Sequence, residues 1–131
     1  MGLPKSRSYH GDSIEVILVH GRTYDIAVLR GDYVNVHDAP VTQQIIDKRR
    51  SIHDLVLDFE EVNKTDSSCL AAIIYILKNV RESRRNLYIC GANPYLRHLC
   101  DIADISPMLD FRESLTELIE SSSQASRKTA A

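Results

Sequence analysis

Apolar and polar positions along this chain change period from segment to segment, and each period predicts an element. Ile14 to Val19 (IEVILV) is a β-rich run that stops at His20-Gly21-Arg22-Thr23. Tyr24 to Arg30 (YDIAVLR) is a second, continuing past Gly31-Asp32 through Tyr33 to Val36. The spacing then becomes helical: in DAPVTQQIIDKRR, Asp38 is placed to cap, Pro40 suits a first turn, and Val41, Ile45 and Ile46 recur on one face. Leu55 to Phe59 (LVLDF) is almost continuously apolar, the pattern of a strand buried on both faces of a sheet. A long helix follows Asp66-Ser67-Ser68, and Asn86 to Cys90 (NLYIC) is the next strand. Gly91-Ala92-Asn93-Pro94 ends that strand and opens a helix with Leu96, Leu99, Cys100 and Ala103 on one side. A short strand at Met108 to Phe111 precedes SLTELIES, where Ser114 and Glu117 have the spacing of a capping box and Leu115, Leu118 and Ile119 face inward.

An antiparallel-looking pair followed by regular alternation predicts an α/β fold, a mixed sheet of four or five strands flanked by about four helices. Residues 1–12 are expected to form an N-terminal extension, 13–120 one domain, and 121–131 a tail. The tail, SSSQASRKTAA, has no apolar period. It has nothing to offset the roughly 1 to 2 kcal/mol of backbone entropy lost per ordered residue, so disorder is expected there.

Composition narrows the function. With 131 residues, 44% hydrophobic and 26% charged, the chain supports one ordinary core. The net charge of -2 comes without a sustained basic stripe, which argues against a nucleic-acid partner. Lys48-Arg49-Arg50 is read as the cationic close of a helix. No window reaches the ~20 apolar residues of a membrane span, and the N-terminus has no apolar signal core, so no membrane insertion and a cytoplasmic location are expected. Cys69, Cys90 and Cys100 lack zinc spacing, and the five histidines, His10, His20, His37, His53 and His98, are scattered. No metal and no cofactor is expected.

The helix after Asp66-Ser67-Ser68 carries the candidate chemistry. On a helical wheel Cys69, Leu70, Ile73, Ile76, Leu77 and Val80 gather on a core side. The other side holds Ser68, Ala71, Ala72 and Tyr75, with Ser67 at its edge. Small residues where a solvated helix would carry charge fit either a flat docking surface or a second packed element. Ser67 has two readings of its own. A hydroxyl there can cap the helix, contributing roughly 0.5 to 2 kcal/mol. It can also accept a phosphoryl group, which free helix N–H groups would stabilise and whose charge would fall on the rim of the docking face. An enzyme is poorly supported: Asp58, Asp66 and Ser67 have no neighbouring histidine unless His37 or His98 folds beside them, and no glycine-rich phosphate loop is present.

The segment from Leu55 to Ile119 resembles the STAS domain of anti-sigma factor antagonists. Leu57-Asp58-Phe59 matches the family's strand end, and Asp66-Ser67-Ser68-Cys69-Leu70 matches its D-S-S-G-L motif at a helix start. The resemblance implies a STAS fold and a non-enzymatic, partner-switching regulator. It would bind a serine kinase or anti-sigma factor of the histidine-kinase-like ATPase superfamily when Ser67 is unphosphorylated. Phosphorylation of Ser67 would release it, and a PP2C-type phosphatase would reverse the mark, with transcription, secretion or biofilm control as output. Asp66, Ser67, Ser68, Ala71, Ala72 and Tyr75 would form the contact surface. The alternative is a STAS subunit of a larger complex, such as a lipid-transport ATPase, using the same face without phosphorylation. Three positions depart from the family: Cys69 replaces the usual glycine and turns toward the core, Asp104 replaces a glycine after the third helix, and Val34-Asn35-Val36 lacks an aspartate that relatives often carry at a strand end.

Overall fold

The computed structural model describes residues 5–10, 14–33 and 39–121. Six strands form one sheet in sequence order: β1 (Lys5–His10), β2 (Ile14–His20), β3 (Tyr24–Tyr33), β4 (Asp54–Thr65), β5 (Leu87–Cys90) and β6 (Asp110–Arg112). The first two pairings are antiparallel and the last three parallel. Helix α1 (Ala39–Lys48) connects β3 to β4, α2 (Ser67–Glu82) connects β4 to β5, and α3 (Pro94–Ile102) with a 3-10 turn (Ser106–Met108) connects β5 to β6. A last helix, α4, covers residues 115–121.

The mixed α/β sheet with four helices is as the pattern predicts, with one more strand. Lys5 to His10 has no apolar alternation, yet it pairs with Glu15 to His20 of β2, within the segment expected to be an extension. β4 is also longer than its apolar run. Glu61 to Thr65 stays in the sheet because Arg30 to Tyr33 continue beside it across two register shifts. Val34 to Val36, the proposed Asp38 cap and the tail from residue 122 lie outside the described residues.

Period-2 alternation places Ile14, Val16 and Leu18 of β2 and Ala27 and Leu29 of β3 in the core beneath α1 and α2. β4 is buried on both sides: Leu55, Leu57 and Phe59 join that core, while Val56 meets Cys90 and Leu118 in a smaller cluster under α4. The short α4 turns Leu115 and Leu118 to the sheet and leaves Ile119 46% exposed, contrary to the inward placement expected of it. Its cap is a variant of the box. Ser114 Oγ accepts the Glu117 N–H at 3.0 Å, and the Glu117 carboxylate accepts from Glu113 N–H at 3.2 Å, one residue before the cap.

Lys48-Arg49-Arg50 does more than face a helix dipole. Arg49 is buried, and its Nε donates to Asn79 Oδ1 at 2.9 Å while Nη2 donates to Ser83 Oγ at 2.9 Å, fixing the end of α1 to the end of α2. Arg50 turns under the sheet to Asp25, which occupies an inward position of β3 and is wholly buried. Its Nη2 and Nε donate to Asp25 Oδ1 at 2.7 and 3.1 Å, its main-chain N–H to Oδ2 at 2.5 Å, and Nη2 also to Gly21 O at 2.6 Å. His20 Nδ1 and His53 Nδ1 lie 3.2 and 3.4 Å from the same Oδ1. Burial alone would raise the Asp25 pKa, but the hydrogen bonds and charge of Arg50, with His20 close beside it, outweigh that and hold the carboxyl below its ordinary value.

Helices α2 and α3 end alike. Arg84 and Asp104 each adopt φ 59°, and Arg85 N–H and Ile105 N–H reach back to the carbonyls of Val80 and Cys100 at 3.2 and 3.1 Å. These are Schellman turns with a side chain where glycine is favoured. Asp104 therefore adopts the left-handed conformation that glycine favours at such a position. Replacing Asp104 or Arg84 by glycine is expected to stabilise the domain by about 0.5 to 1 kcal/mol each, because relief of the left-handed strain exceeds the added chain entropy. A rise in urea midpoint at unchanged slope measures it.

Candidate functional site

The site forms where β4 leaves the sheet and α2 begins. Asp66 is the N-cap: its backbone is extended, and its Oδ1 accepts the N–H groups of Ser68 at 2.8 Å and Cys69 at 3.4 Å. The capping role considered for the Ser67 hydroxyl therefore falls to Asp66. Ser67, the first helical residue, is exposed, and its hydroxyl makes no hydrogen bond among the described residues. The N–H groups expected to hold a phosphate are thus partly taken by a carboxylate.

Down the helix, Ala71 is exposed, Ser68 is half-buried and Tyr75 is 53% exposed. Ala72 is half-buried and packs partly against the core. Tyr75 leans into the groove between α1 and α2, where its hydroxyl donates to Gln43 Oε1 at 3.3 Å. Ile46, Tyr75, Lys78, Asn79 and Glu82 line a cleft of about 160 Å3 there. Cys69 is fully buried, as its place on the wheel requires, beside an apolar void of about 10 Å3 shared with Leu57, Phe59 and Ile73.

Two contributions escaped the sequence reading. Asn93, which caps α3 by accepting Leu96 N–H at 2.7 Å, also lies against Thr65 at 3.4 and 3.5 Å, so the first turn of α3 stands beside the start of α2. That turn presents Tyr95, 54% exposed. The Asn93-Pro94 pair was the available signal, a cap followed by a first-turn proline. Gly91, at φ +65°, allows the neighbouring strand to close: a Cβ there would strike the Glu60 side chain.

Asp58 sits in β4 beneath this end, on the face toward α4, and is only 6% exposed. Burial first, then the charges of Glu60 and Glu61, push its pKa up to about 6, even though Glu60 N–H donates to its Oδ1 at 3.0 Å. Burial likewise pushes the Cys69 thiol far up, Cys90 to about 12 and Cys100 to about 11, so all three remain protonated and unreactive. His98 is exposed on α3, and His37 lies outside the described residues. Among the described residues no group of three His, Cys, Asp or Glu side chains converges to hold a metal, and no helix is long and apolar enough to cross a membrane.

This geometry has counterparts. The STAS domain family model matches residues 13–118, and the chain belongs to that family. An anti-sigma-B factor antagonist of Staphylococcus epidermidis is 26% identical over 103 residues, covering 77% of this chain and 93% of the relative. A solved anti-sigma-factor antagonist (STAS) domain protein from Planctomyces limnophilus superposes with a TM-score of 0.68 at 12% identity, covering 81% of this chain and 96% of its own. The Bacillus cell fate determinant SpoIIAA in its phosphorylated form superposes with a TM-score of 0.59 at 12% identity, covering 88% and 97%. The relatives so named are regulatory antagonists of anti-sigma factors.

Two measurements test the site's physics. Asp66→Ala should cost about 1 kcal/mol in urea unfolding, while Ser67→Ala stays within about 0.5 kcal/mol, because only the first removes the cap. Asp58, with its folded pKa raised, makes the domain less stable as pH climbs from about 4 to 6. Asp58→Asn should therefore gain on the order of 1 to 3 kcal/mol above about pH 7 and nothing below about pH 4, read from thermal midpoints across pH.

Proposed function

We propose that this chain is a cytoplasmic partner-switching regulator of the anti-sigma factor antagonist type, without catalytic activity of its own, controlled by phosphorylation of Ser67. The observation that carries the reading is the division of labour at the start of α2. Asp66 caps the helix, so the neighbouring hydroxyl has no structural task and faces solvent. A phosphoryl group there adds a charge of about -1.5 to -2 beside the Asp66 carboxylate. It gains little from helix N–H groups already engaged, so its effect falls on whatever docks nearby.

The docking partner is a serine kinase or anti-sigma factor of the histidine-kinase-like ATPase superfamily, with a PP2C-type phosphatase removing the mark. Ser67, Ser68, Ala71 and Tyr75 present the contact surface, Asp66 fixes its upper end, and Ala72 supports it from the core side. Small side chains let a partner approach the helix closely, and added charge at the rim imposes repulsion and desolvation on that approach.

With the chain's cognate kinase and labelled ATP, wild type should accept phosphate and Ser67→Ala should not. Titration calorimetry should show Ser67→Ala binding the kinase at least as tightly as wild type and Ser67→Asp binding at least about tenfold more weakly. Equal affinity of the alanine and aspartate variants, with no phosphate transfer, would instead favour a permanent STAS subunit of a larger complex such as a lipid-transport ATPase.

A further inference from the structure

The end of the domain opposite Ser67 has a different surface. There the β2–β3 turn, the last turns of α1 and α2 and the loop from Arg50 to His53 meet. Arg85 Nη1 donates to Ile52 O at 3.2 Å, Arg50 Nη2 to Gly21 O at 2.6 Å, and Arg49 to Ser83, so four chain segments are tied into one rigid cap. Ile52, at its tip, is 72% exposed, the most exposed large apolar side chain among the described residues. Parallel topology brings two further exposed apolar groups to the same end, Ile102 at the close of α3 and Met108 just before β6, at 67% and 40%.

Cations gather with Ile52. Arg22, Lys48, Arg81, Arg84 and Arg85 are all exposed, and none has a carboxylate in ion-pair range among the described residues. Elsewhere, among the described residues, exposed Arg30 pairs with Glu61, exposed Arg97 with Glu113 and half-buried Arg112 with Asp110. With Arg49 and Arg50 the part of this end around Ile52 holds seven cationic side chains against Asp25, Asp47, Asp54 and Glu82, while Asp101, Asp104 and Asp110 accompany Ile102 and Met108 on its α3 side, so the excess of positive charge is confined to the surroundings of Ile52.

We propose that this basal cap docks peripherally on an anionic lipid bilayer, Ile52 entering the headgroup boundary and the unpaired cations meeting lipid phosphates. A protruding Ile52 ringed by basic side chains suits a flat, deformable surface, and unpaired basic side chains supply the attraction that one isoleucine cannot. Among the described residues no exposed aromatic side chain stands among these cations to stack a base, which disfavours a nucleic acid. This proposal does not depend on phosphorylation of Ser67.

The test is cosedimentation of the full chain with phosphatidylglycerol–phosphatidylcholine vesicles and with phosphatidylcholine vesicles at low salt. Binding should require phosphatidylglycerol and fall as salt rises. Lys48→Gln and Arg81→Gln should each lower partitioning about fivefold, and Ile52→Ser should lower it by roughly threefold to tenfold. Lys64→Gln, at the Ser67 end, should change nothing, and circular dichroism confirms that each variant is folded. Absence of binding, equal binding to neutral vesicles, or equal loss with Lys64→Gln overturns the proposal. So does a cation dependence indifferent to Ile52 and competed equally by duplex DNA, which marks a general polyanion response.

Discussion

Everything at the Ser67 end follows from the burial of β4 on both faces. Leu55, Leu57 and Phe59 fill the layer under α1 and α2, while Val56 fills the layer under α4. At about 1.5 to 3 kcal/mol for each large apolar side chain removed from water, this strand is the least able to slip. A shift of one residue would exchange its two faces, turning the inward set toward α4 and Asp58 toward α2. The register that buries the apolar run therefore also fixes where the strand ends and where α2 can begin. Asp58 bears the cost of that register, a carboxyl held in the second layer with its pKa near 6.

The start of α2 is then settled by a competition among hydrogen-bond acceptors. Three polar residues in a row could each serve the open N–H groups, but only a residue with extended backbone just before the helix has the geometry, and that residue is Asp66. A carboxylate is also the stronger acceptor at a positive helix end. Ser67 is freed for other chemistry by losing that competition. On the proposed reading, the Asp66 charge would disfavour a second negative group at Ser67, which would suit a surface whose occupancy is switched.

What could be read from residues alone was whatever local pattern determines. LVLDF announced a doubly buried strand, and the wheel of α2 placed Cys69, Ile73, Ile76, Leu77 and Val80 inward. Ile119 fell on the unexpected side because it lies at the border of its helix stripe, where a small rotation against the sheet decides exposure; Ala72, half-buried, stands at a similar border. β1 and the polar end of β4 were hidden for another reason: their order comes from a neighbouring strand's open hydrogen bonds, not from their own apolar faces. Asp25 and Arg50 are 25 positions apart, and nothing in either segment marks a buried pair that only the folded topology brings together.

That pair also shapes how the two ends of the domain relate. Arg50 is held by Asp25 and Arg49 by Asn79 and Ser83, so the basal cap is anchored to the sheet and to the end of α2 at once. Helix α2 has 16 residues, about 24 Å at 1.5 Å per residue, with Ser67 at its first and Glu82 at its last. A chain seated on lipid by its cap would hold Ser67 about that far from the surface, beyond the roughly 8 to 10 Å over which surface charge is felt at physiological salt. Bilayer charge would then neither repel a phosphoryl group on Ser67 nor obstruct a soluble partner at α2, so the two proposed activities, membrane residence and partner choice, would act through separate ends of one helix.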